Sequence, residues 1–351
     1  MRIDRIGFHE RAVVVLGAGA TRGASFVEGR SGVLPPLDSD FFTQAQRLGK
    51  RKAKDILEGL LADVFRIAGP NFRMTMEGYL TRLEQLARVH DDYRLVGRPG
   101  RNAYRVMRER FLQVLAAVLD EAIGRNPECE YHKTLVRHLE TDDVILSLNY
   151  DWLIDETLRI HGGGKWNPRF GYGVSAYFQG KKGAGTRYWA CRDNSGQPQY
   201  PDKSIRVLKL HGSLTWFPVP SSDGVPRLRL RERWWRQHGR PRFEIAPPEW
   251  NKPTRSGVYV PVWRAARTAL RNTKAVLFIG YSLPETDLPF HALLQVDDKA
   301  PKLKWLVTVN PDRKARNRIR QTLRHRVAKD TRVLSFDTLG EFAKFISDSI
   351  E

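Results

Sequence analysis

The feature that most constrains the fold is a run of five apolar residues, Ala12 to Leu16, that ends in closely spaced glycines. The run has no polar alternation and contains three valines, which is typical of a strand buried on both faces of a parallel sheet. Gly17, Gly19 and Gly23 follow with the spacing G-x-G-x-x-x-G. Glycines in such a turn let backbone N–H groups approach a pyrophosphate at the start of a helix. The stretch predicts a strand that leads into a phosphate-binding turn; a tight turn that binds nothing is the alternative.

Four further strand patterns follow, and small or polar residues come directly after each of them. The patterns cover residues 143–148, 205–210, 275–279 and 305–309. The residues after them include Asn149 and Asp151, His211 and Ser213, Gly280 and Ser282, and Asn310. A sixth strand pattern lies at 332–336. Because open α/β sheets bind ligands at the carboxyl ends of their strands, we predict an α/β fold with a Rossmann-like parallel sheet of about six strands and one composite site along that edge.

A helical period separates the first strand from the second. Apolar residues between 44 and 140 recur at intervals of three and four, which predicts three or four helices. The predicted organisation is therefore a Rossmann-like domain formed by residues 1–43 and 141–351, with an all-helical insertion at 44–140. Near the end of the chain, Thr338 and Glu341 form a T-x-x-E pattern before an apolar run, which predicts a helix with a capping box.

Composition narrows the class of protein. The chain has 59 Lys and Arg against 39 Asp and Glu, a formal charge of +20 that attracts polyanions, including nucleotides and nucleic acid. Its 2 cysteines are too few for a disulfide framework or a four-cysteine zinc site. No apolar run approaches the roughly 20 residues that cross a bilayer. We expect a soluble, cytoplasmic protein that does not contact membranes.

Two stretches, residues 227–242 and 313–328, concentrate the positive charge. The first contains a row of alternating arginines, Arg227, Arg229, Arg231 and Arg233, followed by Trp234 and Trp235. An extended row of this kind can follow the phosphates of single-stranded nucleic acid while aromatic rings stack on bases. The alternative is an edge strand protected by charge. The second stretch has Ile319, Leu323 and Val327 at helical spacing, which predicts a helix whose arginines face solvent.

Five of these segments, in order along the chain, resemble the motifs of Sir2 (sirtuin-like) domains. They are Gly17 to Thr21, Leu148 to Asp151, Leu210 to Gly212, Gly280 to Ser282, and Val309 with Asn310. The resemblance implies that NAD binds at the carboxyl edge of the sheet. It implies NAD-binding roles for Gly17, Ala18, Gly19, Ala20, Thr21, Gly280, Ser282 and Asn310. It implies catalytic roles beside the nicotinamide ribose for Asn149, Asp151 and His211.

The chain departs from the Sir2 pattern at three places. Thr21 stands where a serine is usual, and Pro35, Pro36 and Leu37 replace the expected order in the loop from Ser31 to Asp40. The four cysteines of the deacylase zinc ribbon are missing. A second group of Sir2-like domains, found in bacterial defence systems, also lacks the ribbon, carries a helical insertion and hydrolyses NAD. Resemblance to that group implies an antiphage NAD glycohydrolase that forms a homo-oligomer or binds a defence partner, such as a DNA-translocating ATPase or a nucleic-acid-guided protein.

The chemistry of the candidate residues suits this reaction. Breaking the nicotinamide–ribose bond builds positive charge on an oxocarbenium-like ribose, which the carboxylate of Asp151 can stabilise. The amide of Asn149 can hold a water molecule, and His211 can act as a base without a metal. Two structural explanations stay open at this point. Asn149 and Asp151 can cap the helix that starts near Trp152, and His211 can be a satisfied histidine in a turn.

Two rival functions also stay open. The chain can be a non-catalytic module that senses NAD or ADP-ribose and recruits a DNA-acting partner through its basic surface. It can also transfer ADP-ribose to an acceptor or act as a deacylase, since these reactions begin with cleavage of the same bond.

Overall fold

A six-stranded parallel sheet lies at the centre of the computed structural model, which describes residues 11–93, 101–124, 127–178, 191–192, 198–199, 203–219, 225–230, 245–246, 257–295 and 300–348. The strands are β1 (Ala12–Leu16), β2 (Val144–Ser147), β3 (Ser175–Phe178), β4 (Cys191–Arg192), β5 (Pro198–Gln199), β6 (Arg206–Lys209), β7 (Trp216–Pro218), β8 (Arg227–Leu230), β9 (Ala275–Ile279), β10 (Trp305–Val309) and β11 (Arg332–Phe336). The large sheet has the order β11-β10-β9-β1-β2-β6, and each of its pairings is parallel. The predicted α/β fold with a six-stranded Rossmann-like sheet is confirmed.

Helices flank this sheet and fill most of the interval between β1 and β2. They are α1 (Ala18–Arg22), α2 (Phe41–Gln46), α3 (Arg51–Ala68), α4 (Met76–Tyr93), α5 (Arg101–Ile123), α6 (Glu130–Arg137), α7 (Leu153–His161), α8 (Tyr259–Asn272), α9 (Leu288–Leu294), α10 (Arg313–Thr322) and α11 (Leu339–Ser347). The predicted capping box of α11 is confirmed: Thr338 accepts from the Glu341 N–H, and the Glu341 carboxylate accepts from the Thr338 N–H in return.

The described side chains form two main apolar cores. The strands of the large sheet, fully buried in β1, β9 and β10, pack with the helices that flank them in the first core. Helices α2 to α5 build the second core, which also takes in Tyr150, Trp152 and Leu214 from the loops after β2 and β6. The helical segment formed by α2 to α5 therefore packs on the carboxyl edge of the sheet. Helix α6 joins the sheet core through Leu135 and Val136, and the domain boundaries at residues 43 and 140 stay predictions.

The glycines after β1 are required because two turns make backbone contact. The Gly19 N–H donates to the Gly280 carbonyl at 2.8 Å, and the Gly17 N–H donates to the Ile279 carbonyl at 3.0 Å. A Cβ on Gly17 would lie 2.6 Å from the Gly280 oxygen, and a Cβ on Gly280 would lie 2.0 Å from the Ala20 nitrogen. The space around these glycines is thus filled by protein backbone. This reason differs from the predicted one, in which their missing side chains make room for a pyrophosphate.

The first basic stretch differs from its predicted placement. Strand β8, which carries Arg227 and Arg229, is the middle strand of the small sheet β3-β8-β7, so the predicted edge strand is wrong. Arg231 and Arg233 lie outside the described residues. A nucleic-acid role for this row stays a prediction.

The helix predicted in the second basic stretch is shorter than expected, because α10 ends at Thr322; Ile319 and Leu323 of its apolar stripe are buried as predicted, and Val327 lies beyond the helix and is half-buried. The prediction that its arginines face solvent is wrong for Arg316 and Arg326, which are buried: Arg316 donates to the Asn310 carbonyl after β10, and Arg326 donates to the Leu270 and Thr273 carbonyls at the C-terminal end of α8. A guanidinium group has five N–H donors, so a single side chain can satisfy several carbonyls that would otherwise lack partners. None of the helices in the described part of the chain is long and apolar enough to cross a membrane.

We predict that Gly280→Ala destabilises the fold by about 3 kcal/mol or more, because the new Cβ would overlap the backbone of the glycine turn. Gly29→Ala is the matched control. Both glycines have positive φ, 62° and 71°, but Gly29 is exposed, and no atom lies within 4 Å of the position that its Cβ would take. The control should lose only about 1 kcal/mol from backbone strain. Urea unfolding measures both values, and equal losses would contradict the backbone-contact explanation.

Candidate active site

A hydrogen-bonded cluster joins the ends of β1 and β2. These strands are parallel neighbours with Leu16 opposite Ser147, so the residues after them leave the sheet side by side. Thr21 Oγ1 donates to Asp151 Oδ2 at 2.8 Å and accepts from Asn149 Nδ2 at 3.2 Å. All three side chains are buried. The structure thus brings together two of the predicted catalytic residues and one predicted NAD-binding residue.

Asn149 has one amide oxygen that lacks a hydrogen-bond partner among the described residues. Its Nδ2 group is fixed by Thr21, whereas Oδ1 is buried and accepts no hydrogen bond from the part of the chain that the structure describes. A buried polar oxygen without a partner costs on the order of 1–3 kcal/mol, unless water or a ligand supplies the donor. Among the described residues, the side chain of Asn149 makes no capping hydrogen bond to helix α7. Its buried oxygen therefore favours a role in binding a ligand.

Asp151 combines a structural role with its place in the cluster. Its Oδ1 accepts from the Leu153 N–H at 2.9 Å, in the first turn of α7, so the predicted capping interaction exists. Its Oδ2 is turned toward Thr21. The two oxygens fix the plane of the carboxylate in one orientation beside Asn149.

A buried ion pair supports the backbone of Asp151. Lys209 Nζ donates to the Asp151 carbonyl at 2.5 Å and to Asp155 Oδ2 at 2.8 Å, and the Lys209 and Asp155 side chains are 0% and 1% exposed. Tyr172 Oη donates to the other oxygen of Asp155 at 2.5 Å. Sequence reasoning missed this pair. The available signal was a lysine at the last position of an otherwise apolar strand end, next to the predicted ligand edge.

His211 lies across from a second carboxylate that the sequence did not reveal. Its Nε2 is 3.6 Å from Asp287 Oδ2, and both residues are buried. Tyr281 Oη donates to the same Asp287 oxygen at 2.7 Å. Burial and the neighbouring Asp287 raise the pKa of Tyr281 well above its usual value, so the phenol remains a donor at neutral pH. The ring of Tyr150 lies 6.2 Å from the imidazole, between centroids.

Asp287 has a sequence signal that points to a different role. It comes just before α9, with Pro289 in the first turn, which is the pattern of an N-cap residue. Its carboxylate makes no capping hydrogen bond and faces His211 instead. The local sequence pattern around Asp287 therefore indicates an N-cap side chain, whereas in the structure the carboxylate faces His211.

The remaining predicted NAD-binding residues lie along the same edge with different exposures. Asn310 is buried, donates from Nδ2 to the Tyr281 carbonyl at 3.3 Å and accepts at Oδ1 from the Asp312 N–H at 2.9 Å, so its amide links two strand exits. Ser282 is exposed, and its carbonyl accepts from Arg318. Ala18 is exposed at the start of α1. The contacts with NAD assigned to these residues stay predictions.

The loop from Ser31 to Asp40 is tied to the glycine turn and to the helical segment. Arg22 donates to the Pro35 carbonyl at 2.7 Å and pairs with Asp40 at 2.8 Å. Asp38 Oδ1 accepts from the Glu77 N–H at the start of α4. Glu77 in turn accepts at 2.5 Å from the hydroxyl of Thr286, the neighbour of Asp287. The loop therefore contacts α1 directly through Arg22 and α4 through Glu77.

The donor set does not suggest a metal centre. Across the described ranges, no group of three or more His, Cys, Asp or Glu side chains is arranged to hold an ion. The metal-free mechanism stays a prediction.

The fold and the site define the class of protein: a Rossmann-like α/β protein with a buried polar site at the carboxyl edge of its parallel sheet, where such folds bind nucleotides. The model of the SIR2-like domain family matches residues 143–328, more than half of the chain, and the protein belongs to that family. No curated protein matches the sequence. The matched range holds Asn149, Asp151, His211 and Asp287, whereas the glycine turn lies before it. Family membership supports an NAD-related function.

We predict that Lys209→Met lowers the free energy of unfolding by about 3–5 kcal/mol, because it leaves the Asp155 carboxylate buried without its counter-ion. Lys165→Met is the matched control. Lys165 pairs with Glu140, whose side chain is 66% exposed, and losing such a pair should cost under about 1 kcal/mol. Urea unfolding of both variants measures the difference. If the two variants lose similar free energies of unfolding, the buried pair of Lys209 and Asp155 does not stabilise the loop that carries Asp151.

Proposed function

We propose that this protein is an NAD glycohydrolase that cleaves the nicotinamide–ribose bond to give nicotinamide and ADP-ribose. The observation that carries the proposal is the buried Oδ1 of Asn149, which has no hydrogen-bond partner among the described residues, while Nδ2 of the same amide is held by Thr21 beside the Asp151 carboxylate at the ligand edge of a SIR2-like fold. The same atom serves as the test of fit. A polar oxygen that the described residues leave without a donor suits a site completed by a substrate hydroxyl or a water molecule.

When bound, NAD supplies a glycosidic bond whose cleavage leaves positive charge on the ribose. Each protein group has a role set by its contacts. Asn149 accepts a hydrogen bond from a water molecule or a ribose hydroxyl, because its Nδ2 is already committed to Thr21. The Asp151 carboxylate, fixed at both oxygens, supplies negative charge that does not reorganise during the reaction. His211 receives the proton that the water or the hydroxyl releases.

Cysteine content favours hydrolysis over deacylation within the family. The deacylase zinc ribbon needs four cysteines, and the chain has 2. Cys129 is buried next to His132, 3.0 Å from Sγ to Nδ1. Burial raises the pKa of this thiol, but hydrogen bonds with His132 and the Ser25 N–H outweigh burial and lower the pKa to about 7. The thiol belongs to a small apolar cluster with Ala24 and Leu153, and a lone buried thiol cannot form the ribbon.

The biological setting is a further part of the proposal and rests on the resemblance to defence-associated Sir2-like domains. It comprises NAD depletion against phage and assembly as a homo-oligomer or with a partner such as a DNA-translocating ATPase or a nucleic-acid-guided protein. It also includes contact with nucleic acid through Arg227, Arg229, Arg231 and Arg233. Two described members of that row, Arg227 and Arg229, are half-buried in β8.

We predict that Asn149→Ala lowers nicotinamide release by about 10²-fold or more, because it removes a positioned polar group from the reacting centre. Asn317→Ala, at an exposed position of α10, is the control and should keep full activity. Chromatography of NAD incubated with each purified protein measures nicotinamide and ADP-ribose, and circular dichroism checks the fold. Full activity in a folded Asn149→Ala protein would contradict the assignment.

The same assay separates the rival functions. If NAD raises the melting temperature of the unaltered protein without any release of nicotinamide, the chain is a sensing module. If nicotinamide appears together with protein-bound labelled ADP-ribose in place of free ADP-ribose, the chain is a transferase. Free nicotinamide and free ADP-ribose in equal amounts support the hydrolase.

A further inference from the structure

The proposed reaction does not explain the polar contact between His211 and Asp287 at this edge of the sheet. The two side chains come from distant parts of the chain, the turn after β6 and the loop after β9, and both are buried. Their nearest atoms, Nε2 and Oδ2, are 3.6 Å apart. Buried carboxylates are costly unless they are paired or hydrogen-bonded, so this placement requires compensating contacts.

Asp287 is held rigidly from both its side chain and its backbone. Tyr281 Oη donates to Oδ2 at 2.7 Å, and the Tyr281 ring packs edge-on against Phe290, 5.2 Å between centroids. The Asp287 carbonyl accepts from the N–H groups of Phe290 and His291, each at 3.0 Å, in the first turn of α9. The oxygen that faces the imidazole is therefore anchored by the phenol and by the helix.

A purely structural role for Asp287 accounts poorly for these contacts. An aspartate before a helix with proline in its first turn would ordinarily use its carboxylate to accept N–H groups of that turn. Here the carboxylate makes no such bond, and the Tyr281 hydroxyl directs it toward the histidine. The backbone alone starts the helix.

We propose that Asp287 is a positioning residue that orients the His211 imidazole and stabilises its positive charge after it takes up a proton. This inference rests on the proposed function and deepens it. The proton leaves a water molecule or a ribose hydroxyl and ends on His211, while Asp287 stays ionised and Tyr281 keeps its own proton. Asp287 touches neither the substrate nor the reacting atoms in this scheme and acts through the histidine.

Within the described part of the chain, the side chains beside the imidazole include Asp287 from the loop after β9 and Tyr150 from the loop after β2, and Tyr281 contacts Asp287. Of these three groups, Asp287 has the carboxylate that the proposal takes as the negative charge. Removing that charge while keeping the shape of the side chain should therefore act mainly on the protonated form of His211.

The test compares Asp287→Asn with Glu285→Gln, which removes a carboxylate from an exposed position two residues away. We expect Asp287→Asn to lower kcat for NAD cleavage by about 10²-fold or more with little change in KM. The acidic limb of its pH profile should move to lower pH, because an imidazole without its counter-ion loses its proton more readily. Glu285→Gln should match the unaltered protein.

A second readout needs no turnover. Histidine-labelled protein is titrated by NMR, and His211→Gln identifies the His211 resonance among those of the 9 histidines. We expect the protonation midpoint of His211 to fall by about one pH unit in Asp287→Asn and to stay unchanged in Glu285→Gln.

The combined outcomes separate the two proposals. If the unaltered protein releases no nicotinamide but the His211 midpoint falls in Asp287→Asn, the hydrolase assignment is wrong and the positioning role stands. If the midpoint is the same in both proteins, the positioning role is overturned, whether or not kcat changes. Should Asp287→Asn fail to fold by circular dichroism, the His211 midpoint of Asp287→Ala decides in the same way.

Discussion

The backbone contact between the turn after β1 and the turn after β9 is the constraint on which the candidate site depends. The Gly19 N–H reaches the Gly280 carbonyl, and Cβ atoms at Gly17, Gly19 or Gly280 would lie within 2.7 Å of backbone on the opposite turn. The sheet order places β1 between β2 and β9, so this contact sets the distance between the two halves of the edge. One half carries Asn149, and the other carries Asp287.

Burying charged groups along this edge costs free energy and so reduces the stability of the folded protein. Lys209 and Asp155 are withdrawn from solvent together, and an ion pair in that position gains little net stability because desolvation offsets the attraction. The pair instead fixes the position of the Asp151 backbone, because the Lys209 ammonium also donates a hydrogen bond to the Asp151 carbonyl. The Asn149 oxygen, which has no hydrogen-bond partner in the described ranges, is a further cost that the residues described there do not offset. Costs of this kind, concentrated at one edge, are typical of a functional site more than of a packing core.

The sequence was sufficient for the sheet and insufficient for the contacts between its loops. The apolar runs of β1, β2, β9 and β10 were predicted as strands because burial on both faces leaves a pattern within one segment, and β6 was predicted from an alternating pattern. Asn149, Asp151 and His211 were found because they follow such runs directly. Asp287 was missed because its partner lies in a loop 76 positions earlier along the chain, a separation that no local pattern encodes. The same limit applies to Arg316 and Arg326, whose acceptors include carbonyls on other elements.

The helical segment between β1 and β2 contacts both halves of the site. The apolar core built by helices α2 to α5 also includes Tyr150 and Trp152, which flank Asp151 in the sequence. In the first turn of its helix α4, Glu77 is bonded to Asp38 on one side and to Thr286 on the other. Thr286 precedes Asp287, so one hydrogen bond links the first turn of α4 to the residue before the carboxylate that faces His211. The segment therefore packs beside the polar groups of both halves, against Tyr150 and Trp152 next to Asp151 and against Thr286 next to Asp287.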